Sequence, residues 1–299
     1  MMKRFLILII WLGGFAEYTM AQTGGGNGIK GLQDSLVRLG YVIYNNPSEP
    51  ERIKANFSFV KTLVAALKAP HSYRFDFDSL DMVSILVSPD DRFRIFSWHL
   101  QLNDGSYRYY GAIQLNTPDG SLQLYPLLDK TYEIQAPETA VTTPESWYGA
   151  QYYRIIPLDD SYVLLGWKGH NPHLTQKVIE VLQLTSDGAR LGKPIFDSES
   201  TTGYTRVIYR YSRQASMYLD YDRAAQRLIL DHLAPSDDRH EGAYEHYGPD
   251  LTYDAWQLTG TGLRLVSDIP LTNPPSPSDE LYNDPKKAAG HPKSGLSSP

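Results

Sequence analysis

The chain has 299 residues, with 28 basic and 34 acidic side chains, a formal charge of −6, 22 Tyr and no Cys. The missing Cys excludes disulfides, thiolate metal centres, a cysteine nucleophile and a Cys-linked lipid anchor. The negative charge argues against a nucleic-acid partner, and 41% hydrophobic with 12% aromatic residues argues against disorder.

In chain order, residues 1–21 read as a secretory signal. Lys3 and Arg4 precede a short apolar run from Phe5 to Leu12, and Thr19-Met20-Ala21 offers the small residues that precede a cleavage site after Ala21. That run is well short of the roughly 20 residues needed to cross a bilayer, and no later segment approaches that length. The expected product is an exported protein, periplasmic or secreted, with no integral membrane segment after cleavage. Residues 22–29, with Gly24-Gly25-Gly26, are expected to form a flexible leader. They lack the Gly-Lys-Ser/Thr ending of a phosphate loop.

A helical hairpin is expected over 30–70. Leu32, Leu36, Leu39 and Ile43 recur at the period of one helical face, and Asn45-Asn46-Pro47 breaks it. Ser48 stands where it can cap the next helix, with Pro50 in its first turn. Phe57, Val60, Val64 and Leu67 continue the pattern to Ala69-Pro70. The hairpin is read as packing on the sheet that follows.

From Met82 onward the period becomes two, as in Arg92-Phe93-Arg94-Ile95-Phe96 and Ser216-Met217-Tyr218-Leu219-Asp220. Asp104-Gly105, Asp119-Gly120 and Asp187-Gly188 mark the turns. The expected fold is therefore mainly β: an antiparallel meander over 71–270, propeller-like or a twisted open sheet, with one face buried and one wet. A faint internal repeat relates 90–129 to 159–197. At an offset of 69 it aligns Asp90-Asp91 with Asp159-Asp160, Trp98 with Trp167, and Gln114-Leu115 with Gln183-Leu184. Residues 271–299, rich in Pro, Ser and Gly, are expected to be a disordered tail.

The segments Ser88-Pro89-Asp90-Asp91-Arg92-Phe93-Arg94-Ile95-Phe96-Ser97-Trp98, Asn103-Asp104-Gly105-Ser106-Tyr107-Arg108-Tyr109-Tyr110-Gly111-Ala112, Trp147-Tyr148-Gly149-Ala150, Asp231-His232-Leu233-Ala234-Pro235 and Tyr247-Gly248-Pro249-Asp250 carry a resemblance. Together they resemble a family of exported bacterial proteins to which no function is assigned. The resemblance runs from about residue 30 to 268 and implies export and a single unit, but no activity.

Candidate chemistry concentrates in 231–254, where Asp231, His232, Asp237, Asp238, His240, Glu241, Glu245, His246, Tyr247, Asp250 and Asp254 crowd together. The spacing matches no calcium loop and no His-Glu-x-x-His helix, so no metal and no cofactor are expected. His232 follows an apolar strand and would suit a general base. Asp231 is its sequence neighbour and faces the other way on a strand, so a partner must come from another strand. His170-Asn171-Pro172-His173 supplies two His residues in a turn with no third ligand near. No Gly-x-Ser-x-Gly elbow is present. Aromatics gather at strand edges: Tyr107, Tyr109, Tyr110, Trp147, Tyr148, Tyr152 and Tyr153. Exposed rings of this kind stack on sugars or anchor a protein partner; buried ones simply pack.

The binding residues expected from the sequence are Trp147, Tyr148, Tyr152, Asp231, His232, Glu245, His246 and Tyr247, with no catalytic residue assigned. The expected function is a non-catalytic binding or scaffold module of the cell envelope, its partner an envelope protein or polysaccharide. The alternative is a hydrolase of envelope or extracellular polymers centred on 231–254.

Overall fold

The computed structural model describes residues 25–271. The expected signal at 1–21 and nearly all of the expected tail at 271–299 lie outside the described residues.

Helices α1 (Gly25–Asn45) and α2 (Glu49–Leu67) form the hairpin. Because α1 already begins at Gly25, the helix takes over part of the segment expected as a leader. Leu36 and Ile43 are buried and Leu32 and Leu39 partly so, as their spacing dictates. Ser48 holds the N-cap position of α2 with Pro50 in the first turn, but its side chain makes no cap bond. Instead the Asn46 side chain accepts the Ser48 amide at 2.8 Å.

The buried face of α2 differs from the expected one. It comprises Ala55, Asn56, Phe59, Leu63, Ala66 and Leu67, while Phe57 is 62% exposed with the Lys61 ammonium over its ring at 4.2 Å. A polar residue disguises the true stripe. Asn56 is pulled inside because its Oδ1 accepts the Trp98 indole N–H at 2.8 Å.

The remaining strands divide into three antiparallel meanders. The first sheet is β1 (Ser84–Val87), β2 (Phe93–Gln101), β3 (Tyr107–Leu115) and β4 (Leu124–Leu128), paired in sequence order. The second holds β5 (Gln151–Leu158), β6 (Ser161–Gly169) and β7 (Leu174–Thr185). Its far edge is completed by β8 (Gly188–Leu191) and, across a crossover, by β10 (Val207–Ser212). Between those two, β9 (Phe196–Asp197) leaves for the third sheet. There β11 (Leu219–Asp222), β12 (Arg227–Pro235), β13 (Tyr247–Leu258) and β14 (Leu263–Val266) run antiparallel, and β9 closes the edge in parallel with β14. Thus β1–β3 and β5–β7 run in the same order within their sheets, about 69 residues apart, while β9 joins the third sheet.

These elements stack in layers. The hairpin covers the first sheet through Leu36, Phe59 and Leu63 against Phe96, Trp98 and Leu100. Phe93, Ile95 and Ile113 meet Leu164, Val178 and Leu182 between the first and second sheets. Val163, Leu165, Ile179 and Val181 meet Leu228, Leu230 and Trp256 between the second and third.

Both faces of β2 and β6 are consequently buried, a correction to the expectation of one wet face. The alternation at Arg94 misleads because this Arg lies inside. Its guanidinium donates to Gln114 Oε1 (2.8 Å) and to the carbonyls of Phe75 (2.6 Å) and Ser72 (2.9 Å), and it stacks over Phe96 at 4.8 Å. Strand β5 touches the first strand of each neighbouring sheet. Ser84 on β1 donates to the Tyr152 carbonyl on β5, and Arg154 on β5 grips Asp220 on β11 with two bonds of 2.8 and 2.7 Å.

Candidate functional site

The His-rich region was the sequence's first candidate. β12 and β13 pair as Asp231↔Tyr253 and then as Leu233↔Pro249, so His232 stands at a bulge and Asp250–Thr252 loop out opposite it. Leu251 in that loop has φ +74° and is 87% exposed. His232 Nδ1 lies 2.9 Å from Asp254 Oδ2, and Nε2 lies 4.0 Å from Asp250. The required partner from a second strand is therefore Asp254. Its hydrogen bond raises the His232 pKa above 6.5; burial opposes this, and the charges of Asp254, Asp250 and Asp268 add to the rise. The other Asp254 oxygen accepts the Asp268 amide at 3.0 Å. Asp231 faces away and accepts the Tyr218 amide at 2.7 Å, a strand-edge tie.

Glu245, His246 and Tyr247 line a shallow hollow of about 380 Å3 together with Asp250. There His246 stacks on His240 at 4.0 Å, and the Tyr247 hydroxyl accepts the Gly242 amide at 3.0 Å. His232 itself is half exposed beside this hollow, not at the base of a cleft.

Trp147, Tyr148 and Tyr152 are placed elsewhere, in the core between the first two sheets. The Trp147 indole N–H donates to the Tyr152 hydroxyl at 2.8 Å, and the Tyr148 hydroxyl donates to Gln176 at 2.8 Å. Packing claims these rings because they lie between two sheets that cover each other. They offer no surface to a ligand.

A groove of about 600 Å3 opens on the first sheet, between the β2–β3 turn, the start of β3 and the segment leaving β4. Tyr107 and Tyr110 form one side, and Leu127 to Glu133 the other. Gly105, at φ +82°, allows the tight turn that carries Asp104. The opposite wall is a clamped turn. Asp129 Oδ1 accepts the Thr131 amide (3.0 Å) and hydroxyl (2.6 Å), while Oδ2 accepts the Tyr109 amide (3.0 Å). Glu133 and Ile134 donate back to the Lys130 carbonyl at 2.9 and 3.2 Å. At the apex Tyr132 is 72% exposed, its ring leaning on His170 at 6.0 Å.

Beneath the turn lies Lys168 of β6, 2% exposed. Its ammonium donates to Thr131 Oγ1 at 2.8 Å and to the Gly149 carbonyl. The rings of Tyr109 and Tyr148 lie 4.4 and 4.6 Å away. Burial pulls its pKa down to about 8 against the attraction of Asp129. Deeper still, Glu180 and Arg206 form a fully enclosed ion pair at 2.6 Å. Burial works against the charged guanidinium, but the Glu180 carboxylate outweighs it and keeps Arg206 protonated.

Sequence reasoning named Tyr107, Tyr109 and Tyr110 among the strand-edge aromatics but missed Tyr132, Glu133 and Lys168. The available signal was Asp129-Lys130-Thr131, an Asp two residues before a Thr, which is a turn-forming pair. Among the described residues no group of three or more His, Asp or Glu side chains is arranged to hold a metal ion. No helix among them is long and apolar enough to cross a membrane. No family model, no curated protein and no solved structure matches the chain.

Proposed function

We propose that the protein is an exported, envelope-associated binding module whose ligand seats in the groove of the first sheet. The observation that carries this reading is Tyr132 at the groove. Its ring is 72% exposed on a turn fixed by Asp129 and lines the largest hollow described above, where a ligand would cover it. The volume falls within the roughly 300–1,000 Å3 typical of ligand sites. Export rests on the signal-like first 21 residues and on the resemblance to exported proteins. An envelope protein or polysaccharide is the partner class such a location supplies. The test is Tyr132→Ala, which removes ligand capture from envelope extracts and leaves thermal stability unchanged. Undiminished capture by the variant contradicts the reading.

A second reading, a hydrolase of extracellular polymers, is favoured by one observation: the His232–Asp254 pair at 2.9 Å leaves Nε2 of the imidazole free to take a proton. Loss of polymer turnover in His232→Ala, with a wild-type enzyme that does turn over, is the result it requires.

A further inference from the structure

The charges around the groove identify the ligand's chemistry, and this inference rests on the groove being the binding site. Three carboxylates and two basic side chains line it: Asp104, Asp129 and Glu133 with Arg108 and Lys130. Two of the acids face a counter-charge, and the third is tied into its own turn. Glu133 and Lys130 form an ion pair of 2.7 Å. Asp104 is held below the usual carboxylate range by its Ser106 hydrogen bonds and, in lesser part, by the Arg108 charge. Asp129 faces the buried Lys168, whose ammonium reaches it through the Thr131 hydroxyl.

The lining is thus rich in hydrogen-bonding groups yet close to neutral. A polyanion meets three carboxylates, and a polycation finds Asp129 and Glu133 already balanced and Asp104 bound to Ser106. What remains complementary is an uncharged ligand with many hydroxyls and a flat apolar face. The exposed ring of Tyr132 offers a stacking surface at the groove, while Tyr107, packed on Trp167, and Tyr110, stacked on Trp98, present only their edges to it. The neighbouring carboxylates accept hydroxyl protons, and Arg108 and Lys130 donate to ring and hydroxyl oxygens.

We propose that the groove between β3 and the Asp129–Glu133 turn binds an uncharged glycan, with Tyr132 as the stacking platform and Asp104 and Arg108 as hydrogen-bonding groups at the opposite wall.

The test uses the full exported chain and soluble probes: cello-, xylo-, malto- and chito-oligosaccharides of about four to six sugars, with oligogalacturonate, heparin and oligolysine as charged comparators. Calorimetry is run at low and high salt. The expected result is that at least one neutral series binds, that its affinity changes less than about twofold with salt, and that Tyr132→Ala weakens it about tenfold or more, which is about 1.4 kcal/mol. Asp104→Asn weakens it less and leaves the melting temperature unchanged.

Binding of a charged comparator alone, lost in Tyr132→Ala, overturns the glycan assignment and keeps the groove as the site. A neutral glycan that binds equally well to Tyr132→Ala overturns both. Failure of every neutral series to bind overturns the glycan assignment.

Discussion

Lys168 and Thr131 are joined by a 2.8 Å hydrogen bond that ties the interior of the second sheet to the rim of the groove. The Thr131 hydroxyl passes the contact on to Asp129 at 2.6 Å, so one buried ammonium fixes the turn that presents Tyr132. Burying an ammonium is costly, and two acceptors, two ring faces and the nearby Asp129 carboxylate offset only part of that cost.

The pH dependence follows from this burial. The Lys168 pKa falls from 10.5 to about 8 on folding. Between those values the unfolded chain holds the extra proton, so this group makes stability rise as pH increases from about 8 towards 10.5. Burial drives the Tyr148 and Tyr211 phenols the other way, from 10.0 to about 12. Their stabilising share is present below pH 10 and lost as pH climbs towards 12. Urea midpoints measured across this range should rise and then fall. In Lys168→Met the rise should shrink to what the partly buried Lys177 contributes, while the fall remains.

The enclosed Glu180–Arg206 pair should behave asymmetrically. Glu180→Gln leaves a buried guanidinium without its counter-ion and should cost about 3–5 kcal/mol in denaturant unfolding. Replacing both, as Glu180→Leu with Arg206→Met, should recover most of that loss, because two apolar side chains need no partner. A double variant as unstable as the single would show that the bond from Arg206 to the Pro137 carbonyl and the surrounding contacts, not the ion pair, set the cost.

Asn56 and Trp98 test how the hairpin is anchored. Asn56→Ala strands a buried indole N–H and should destabilise by about 1–3 kcal/mol. Phe57→Ala, one residue away on the exposed side of α2, should change stability by less than about 0.5 kcal/mol. Comparable losses in the two variants would contradict the assignment of the buried face.

His232 should hold the end of the third sheet in a pH-dependent way. Its raised pKa means that the tie to Asp254 stabilises below the ordinary value of 6.5 and weakens as pH rises through the folded value. Asp254 also holds the Asp268 amide, and the adjacent Ile269 amide donates to the Tyr253 carbonyl at 2.7 Å. Hydrogen exchange at Asp268 and Ile269 should therefore be faster in His232→Ala than in the native chain at about pH 6. At pH well above the folded value of His232 the two should converge.

The mainly β fold and the leading hairpin were legible because period-two runs and Asp-Gly turns are local signals. Local signals do not say what covers a strand. Arg94 and Asn56 are polar yet buried, because Gln114, Ser72 and Trp98 satisfy them from distant parts of the chain. For the same reason alternation was read as a wet face and the α2 stripe was displaced. The sequence showed only that a partner for His232 would have to come from another strand, and Asp254 emerged once the bulge set the register. The groove was the least legible, since its walls come from a β-turn, a strand and a loop joined by a lysine of the next sheet.

The most direct test of the central claim is hydrogen–deuterium exchange of the whole chain with and without a soluble polysaccharide fraction of its own envelope. The groove account predicts slowed exchange in residues 102–110 and 127–133, with 231–254 unchanged. Protection confined to 231–254, or none in the groove at saturating ligand, would contradict it.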